Sequence, residues 1–318
     1  MTPQSNHTPA PVGVLIMAYG TPAKSEDIES YYTHIRHGHP PTEELLAELR
    51  GRYQAIGGLS PLLKHTRTQV EGIQAALDAR MPGHYQTFLG MKHADPFLEA
   101  SASELAHSGA NQAIGLVLAP HYSSMSVAQY MQRVQKTLPA SLHFTAIESW
   151  HLLLGYITYL AEQILHTRER LLKESGITEE QLEIIFTAHS LPARILANND
   201  PYPRQLRETA EAVARAAGLT HWSIAWQSAG RTADPWIGPD ILEVLRELPH
   251  KGKAGALVCP AGFVSDHLEV LYDLDIEASQ LAASLGLAFA RTILPNDNQR
   301  VFDALAEMII QAEYETLI

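Results

Sequence analysis

Short apolar runs alternate with longer amphipathic stretches along the whole chain. The runs 12–18 (VGVLIMA), 85–91, 113–119 (AIGLVLA), 142–148, 182–188 (LEIIFTA), 221–227, 255–261 (GALVCPA) and 286–293 are apolar, partly β-branched and bounded by turn-type residues. That pattern predicts strands buried on both faces of a parallel sheet. Helix-length segments lie between them, at 62–80, 95–108, 124–137, 152–174, 203–217, 267–284 and 300–315. Strand–helix alternation of this kind predicts a doubly wound α/β architecture.

The eight strands fall into two sets of four. The first strand of each set ends alike, in Ala18-Tyr19-Gly20-Thr21-Pro22 and Ala188-His189-Ser190-Leu191-Pro192. The third strands also correspond, in Leu118-Ala119-Pro120-His121 and Val258-Cys259-Pro260-Ala261. We read an internal duplication of a four-stranded unit, with a chance match of short motifs as the alternative. The halves are expected at 1–149 and 150–298, with 299–318 as a last helix packing back on the first half. About 66 residues separate strands one and two in the first half, against about 32 in the second. The excess, 24–66, reads as an insertion, and insertions at the carboxyl ends of α/β strands build binding sites. It holds Tyr31, Tyr32, His34, Arg36, His37, His39, Arg50, Arg52 and the turn Gly57-Gly58-Leu59-Ser60-Pro61.

Composition narrows the function classes. The chain has 318 residues, 46% hydrophobic and 18% charged, which excludes a disordered or coiled-coil protein. A single cysteine, Cys259, excludes a disulfide framework and a thiolate-built cluster within one chain. The longest largely apolar run, 152–160, is far short of the ~20 residues a membrane span needs. No Lys or Arg precedes the first apolar run, a poor signal peptide, and the expectation is a cytoplasmic protein with no stable membrane association. The net charge of −12 argues against nucleic acid as a partner. It is unevenly spread. From Asp240 to Ile318 there are 13 acidic and 5 basic residues, net −8; from Tyr31 to Arg67 there are 5 basic and 3 acidic, net +2, with four histidines besides.

Candidate chemistry gathers at strand ends. His189 leaves a buried strand where a neutral imidazole of pKa ~6.5 would serve as a base; capping the next turn is the bland alternative. In the segment 267–277, Leu268, Leu271, Leu274, Ala278 and Leu281 define an expected buried face. Glu269, Asp273 and Glu277 sit at i, i+4 and i+8 on another face, where like charges repel. Either that face is solvated or a divalent cation such as Mg²⁺, Mn²⁺ or Fe²⁺ sits there. Tyr19 ends the first strand in the place His189 occupies in the other half. Lys92-His93 and His121-Tyr122 end strands at the same edge, with ordinary strand-end polarity as the competing reading. His34, His37 and His39 lie in a Gly/Pro stretch without metal-ligand spacing and read as solvated basic residues. No dinucleotide fingerprint, phosphate loop or nucleophile elbow is present.

The ordered motifs MAYGTP (17–22), RYQAIGGLSPL (52–62), LGMKH (89–93), LAPHYS (118–123), AHSLP (188–192), DPYP (200–203), WQSAG (226–230), DPWIGPD (234–240) and GFVSDHLEVLYDLD (262–275) resemble those of the ferrochelatases, enzymes that insert Fe²⁺ into a porphyrin. The resemblance runs from about Val14 to about Leu305. Tyr19 makes the chain similar to the coproporphyrin III-using type of Gram-positive bacteria, whose tyrosine sits over the porphyrin face and ligates product iron. It implies a chelatase-like fold of two Rossmann-like halves with flanking helices and a porphyrin cleft between them.

The resemblance also implies roles. His189 matches the cleft histidine proposed to take pyrrole protons or bind the incoming metal, and Glu269 its paired carboxylate, with Asp273 and Glu277 as the acidic line leading metal in. Two such acceptors should titrate as a coupled pair. Arg36, Arg52, Ser60 and Tyr130 match propionate partners, and Lys92 and His93 join them as substrate-binding candidates. The expected partners are coproporphyrin III and Fe²⁺, with no organic cofactor and no iron–sulfur cluster, and a divalent cation such as Mg²⁺ is a candidate at the acidic helix. The family type implies a monomer in transient contact with the next haem-pathway enzyme. His37 and His39 stand where relatives often carry Arg, so porphyrin affinity is expected to weaken as pH rises above ~6.5. The rivals are a protoporphyrin IX ferrochelatase or related chelatase, and a tetrapyrrole or metal carrier.

Overall fold

The computed structural model describes residues 11–230 and 232–316; the outermost residues of the 1–149 and 299–318 segments lie outside that range. Eight strands form two four-stranded, all-parallel sheets: β1 (Val12–Ala18), β2 (Tyr85–Met91), β3 (Gln112–Val117) and β4 (His143–Ile147), then β5 (Leu182–His189), β6 (Ser223–Gln227), β7 (Gly255–Cys259) and β8 (Ala288–Arg291). The orders β2-β1-β3-β4 and β6-β5-β7-β8 are the same, strand for strand. The expected strands fall within a few residues of these spans.

The helices are α1 (Ile28–Ile35), α2 (Glu43–Ala55), α3 (Leu62–Arg80), α4 (Leu98–His107), α5 (Val127–Thr137), α6 (Leu154–Ser175), α7 (Arg194–Ala197), α8 (Tyr202–Ala217), α9 (Ile241–Glu247), α10 (Ser279–Ser284) and α11 (Gln299–Thr316). The stretch Val270–Ala278, expected as α-helix, winds instead as a π-helix running straight into α10.

Central strands show why the apolar runs were continuous. Along β1, Val14 and Ile16 enter one core while Leu15 and Met17 enter another on the opposite face. Period-two alternation thus sends successive apolar side chains into cores on opposite faces, as a strand covered on both faces requires. The largest core is shared: Val14, Ile16 and Ile73 of the first half lie in one cluster with Phe186, Leu257 and Cys259 of the second, together with residues of α6 and α11. The insertion has its own small core of Ile28, Leu46 and Tyr53, against which Leu268 packs.

In each sheet the chain steps from the central strand to one neighbour and then crosses to the other side, so a switch point lies between β1 and β3 and between β5 and β7. Ligands of open α/β sheets bind outside the carboxyl ends of strands at such points. Tyr19 follows β1, His189 ends β5, and the loop after β7 leads to Glu269.

Candidate active site

The geometry centres on Glu269. Its Oε2 lies 3.5 Å from His189 Nε2 and 3.5 Å from His267 Nε2. Both imidazoles are oriented by backbone: Nδ1 of His189 hydrogen-bonds the Ser190 carbonyl, and Nδ1 of His267 the Ser265 carbonyl at 3.0 Å. With Nδ1–H donating, each Nε2 is turned to the carboxylate. The Tyr202 hydroxyl donates to the His189 carbonyl at 2.9 Å and so fixes the backbone that carries the ring.

Electrostatics make His189 and Glu269 an ion pair. Burial disfavours the imidazolium, but Glu269, the Ser190 carbonyl and Asp273 overcome it and push the His189 pKa up to about 9. Burial likewise opposes the Glu269 carboxylate, yet His189 and His267 hold it well below the usual carboxylate range. The raised His189 pKa runs against the neutral imidazole expected of it and favours the protonated ring at neutral pH, with no metal or substrate. The Glu269 side chain keeps 39% exposure, so the pair faces an opening and not the sealed core. Around it stand four tyrosines. Burial and the Glu269 charge together raise the pKa of Tyr19, Tyr31, Tyr53 and Tyr202, which places hydroxyls from both halves about one carboxylate. Tyr19 is 44% exposed and open to the cleft.

The acidic row is only partly as expected. Val270, Leu274, Ala278 and Ala282 are the buried apolar positions, four apart; of the expected face Leu274 and Ala278 are among them, and Leu268, Leu271 and Leu281 are only partly buried. The π-helix closes i→i+5 bonds and so winds more widely than the α period assumed, which turns the buried row. Glu269, Asp273 and Glu277 lie one residue before that row and form no solvated face: Asp273 is buried. It accepts a short hydrogen bond from Ser228 Oγ and an ion pair at 3.5 Å from Arg52. Burial and the neighbouring Glu269 charge raise its pKa to about 6 against those two partners. Among the described residues, no group of three or more His, Cys, Asp or Glu is spaced to hold a metal ion.

Of the substrate-binding candidates, Arg52 joins this centre. Besides Asp273 it reaches Glu48 at 3.5 Å and stacks 4.7 Å over the Tyr272 ring, tying the insertion to the π-helix. Lys92, His93 and Tyr130 gather on the first-half side. Lys92 Nζ donates to Gln129 Oε1 at 2.6 Å and lies 5.2 Å from the Tyr130 ring centre. Burial, with Arg133 nearby, lowers its pKa to about 8. The Tyr19 and His93 rings lie 4.7 Å apart. Burial, reinforced by Lys92 and His34, lowers the His93 pKa to about 3 and keeps it neutral.

His34 reads from the sequence as a solvated basic residue in a Gly/Pro stretch. It lies instead on α1, with Nδ1 2.9 Å from His93 Nδ1, so one ring must donate and the other accept. Arg36 and Ser60 stand apart from the cluster. Arg36 contacts the Tyr32 ring and the His39 carbonyl, and Ser60 Oγ accepts from the Leu62 N–H. His267, Ser228 and Tyr202 were missed as site residues. The motifs GFVSDHLEVLYDLD, WQSAG and DPYP contain them, so the signal was present without a role attached.

The chain matches the model of the family described as Ferrochelatase over residues 11–313. It is 44% identical over 303 residues to a coproporphyrin III ferrochelatase of Anoxybacillus flavithermus, covering 94% of this chain and 95% of that one. It is 43% identical over 305 residues to a coproporphyrin III ferrochelatase of Listeria innocua, covering 95% and 98%. Among solved structures, SirB from Bacillus subtilis with Fe³⁺ superposes at a TM-score of 0.52 and 10% identity, over 95% of each chain. At that identity the likeness concerns the fold.

Proposed function

The chain belongs to the ferrochelatase family and is a metal chelatase, and from that premise we propose that it inserts Fe²⁺ into coproporphyrin III to give iron coproporphyrin in haem biosynthesis. The observation that carries the reading is the His189–Glu269 pair, 3.5 Å apart at the switch point of the second sheet, with the exposed Tyr19 ring at the matching position of the first.

Metalation removes two pyrrole protons and brings a dehydrated cation to one face of the macrocycle. Glu269, held ionised, is an acceptor available at neutral pH. His189 becomes one after losing its proton, and an approaching Fe²⁺ lowers its pKa by the charge repulsion that Glu269 otherwise offsets. The pair then acts as a unit, binding the metal on arrival and taking protons as nitrogen lone pairs replace N–H. Two-donor ion-pair spacing suits a metal in passage better than a resident one. Asp273 and Glu277 lie on its route, and an Mg²⁺-like cation would sit there if anywhere on this helix. Tyr19 supplies an oxygen to product iron.

Coproporphyrin brings four propionates. Arg52, Lys92 and Tyr130 bound the cleft, with His93 behind Tyr19, and Arg36 and Ser60 lie further out. Arg52 reaches a propionate by exchanging Asp273 for it. The reading includes no organic cofactor and no iron–sulfur cluster. It has the protein acting as a cytoplasmic monomer, handing its product on by transient contact; no helix among the described residues is long and apolar enough to cross a membrane.

Anaerobic incubation with Fe²⁺ and either coproporphyrin III or protoporphyrin IX, followed by absorbance, tests it. Turnover of coproporphyrin III in preference is expected. Preference for protoporphyrin IX would transfer the substrate, and binding without metalation would leave a carrier.

A further inference from the structure

We infer that Arg291 is a positioning residue for metal delivery: it fastens together the two flanks of the segment that carries His267, Glu269 and Asp273, and so holds those groups in place opposite His189. The inference rests on the reaction proposed above and deepens it.

Arg291 ends β8, in register with Val258 of β7. The chain leaves β7 and reaches His267 within a few residues, so the end of this edge strand meets the start of the metal-handling segment. The guanidinium spans that segment. Nη2 forms an ion pair with Asp266 Oδ1 at 2.9 Å and donates to Asp275 Oδ2 at 2.8 Å, while Nε donates to Asp275 Oδ1 at 2.6 Å. Nη1 donates to the Thr292 carbonyl at 3.2 Å, so all three nitrogens are engaged. Asp266 directly precedes His267, and Asp275 lies two residues beyond Asp273 on the π-helix. One cation thus holds both flanks of 267–273. Its side chain is largely buried. Burial opposes the charge, but Asp275 and Asp266 overcome that and raise the Arg291 pKa. The planar fork fixes direction as well as distance, which a single ammonium does not.

Such a tie positions the segment only if one end is anchored, and the Asp266 end is. Asn296 Nδ2 donates to Asp266 Oδ2 and Asn296 Oδ1 accepts from the Asp266 N–H, both at 2.7 Å. The Asn296 N–H donates to the Val264 carbonyl at 2.9 Å, from a φ of +45° that asparagine tolerates better than most residues. From the first half, the buried Gln69 of α3 donates through Nε2 to Ser265 Oγ at 2.8 Å and to the Asn296 carbonyl at 2.9 Å. The Ser265 carbonyl in turn orients His267. Arg291 therefore fastens the π-helix, through the exposed Asp275, to a loop pinned from both halves of the molecule.

The test is anaerobic steady-state metalation, with Fe²⁺ and coproporphyrin III varied in turn, for wild type, R291K, D275N and the control R300K. R291K keeps the charge and loses the fork, whereas D275N weakens the tie at its exposed end. Arg300 grips Glu162 through both terminal nitrogens, as Arg291 grips Asp275, but joins α11 to α6. Losing an outer partner of metal-handling groups costs roughly 10–100-fold, so R291K should raise the KM for Fe²⁺ about tenfold and leave the KM for coproporphyrin III unchanged. D275N should do the same to a smaller degree, and R300K should alter neither. A merely structural role would lower kcat with the folded fraction and leave both KM values at wild type. That result in R291K, or in D275N should R291K fail to fold, would overturn the inference while leaving the proposed reaction intact. Failure of the wild type itself to metalate coproporphyrin III would overturn both.

Discussion

At the scale of single residues, the site works by setting two pKa values against each other. His189 is pushed up to about 9 because Glu269 faces it, while His189 and His267 hold Glu269 down. A histidine whose folded pKa exceeds its unfolded value of ~6.5 stabilises the fold fully below that value and loses the effect as pH rises through about 9. Glu269→Gln should remove this. We expect the His189 ring, followed by NMR titration of the metal-free protein, to titrate at least one unit lower in the variant. Metal insertion should fall about 100-fold or more, the usual scale for a positioned proton acceptor, with porphyrin binding kept. An unshifted histidine titration would separate the pair electrostatically, whatever happened to turnover. Little of this polarity was legible in the sequence. The identities of His189 and Glu269 were readable from their motifs, but whether the imidazole is charged depends on a 3.5 Å contact between residues 80 positions apart.

At the scale of elements, strands were the most legible part of the chain. Each buried strand is a short apolar run, and both faces need covering, so the signal is redundant. The insertion was legible as extra length, but its helices were not. The α1 and α2 segments each bury few residues, Ile28 in one and Leu46 and Tyr53 in the other, too few for a periodic stripe. The π-helix was illegible for a different reason: the apolar spacing assumed an α turn, and the wider winding turned Asp273 inward. That inward turn has a cost which can be measured. An aspartate whose folded pKa is raised to about 6 stabilises the fold below its unfolded value of ~3.9, and the effect is lost as pH rises through about 6. Ionised Asp273 should therefore weigh against stability at pH 8. Asp273→Asn keeps the shape and an acceptor for Ser228 and Arg52. We expect urea unfolding of the variant at pH 8 to give stability equal to or above wild type, with a flatter pH dependence between about 4 and 6. Metal insertion should slow, because the row loses a charge. A variant destabilised by several kcal/mol at pH 8 would mean that Arg52 and Ser228 outweigh the burial and repulsion.

At the scale of the molecule, the charge asymmetry and the duplication describe one arrangement. The acidic last 79 residues, net −8, include the row at 269–277, and the basic insertion packs against it through Leu268 and Arg52. The two halves share one core, and α11 packs across both. That packing was readable only as a last amphipathic segment; its depth depends on two glycines that carry no hydrophobic signal. A Cβ on Gly72 of α3 would lie 2.2 Å from the Phe302 ring, and one on Gly155 of α6 would lie 2.6 Å from Ala304 Cβ. Gly51 of α2 has nothing within 4 Å of the same added atom. Helix propensity alone favours Ala over Gly by up to ~1 kcal/mol at all three positions, whereas overpacking costs about 1–3 kcal/mol where α11 comes close. The signs should therefore divide by location. In urea unfolding, Gly51→Ala should gain up to ~1 kcal/mol, while Gly72→Ala and Gly155→Ala should each lose about 1–2 kcal/mol. Because α11 is the shared neighbour, the double variant G72A/G155A should lose less than the two single losses added together: once α11 has shifted to relieve one clash, the other is partly relieved as well. Strict additivity would mean that the helix responds locally at each end and does not couple the halves.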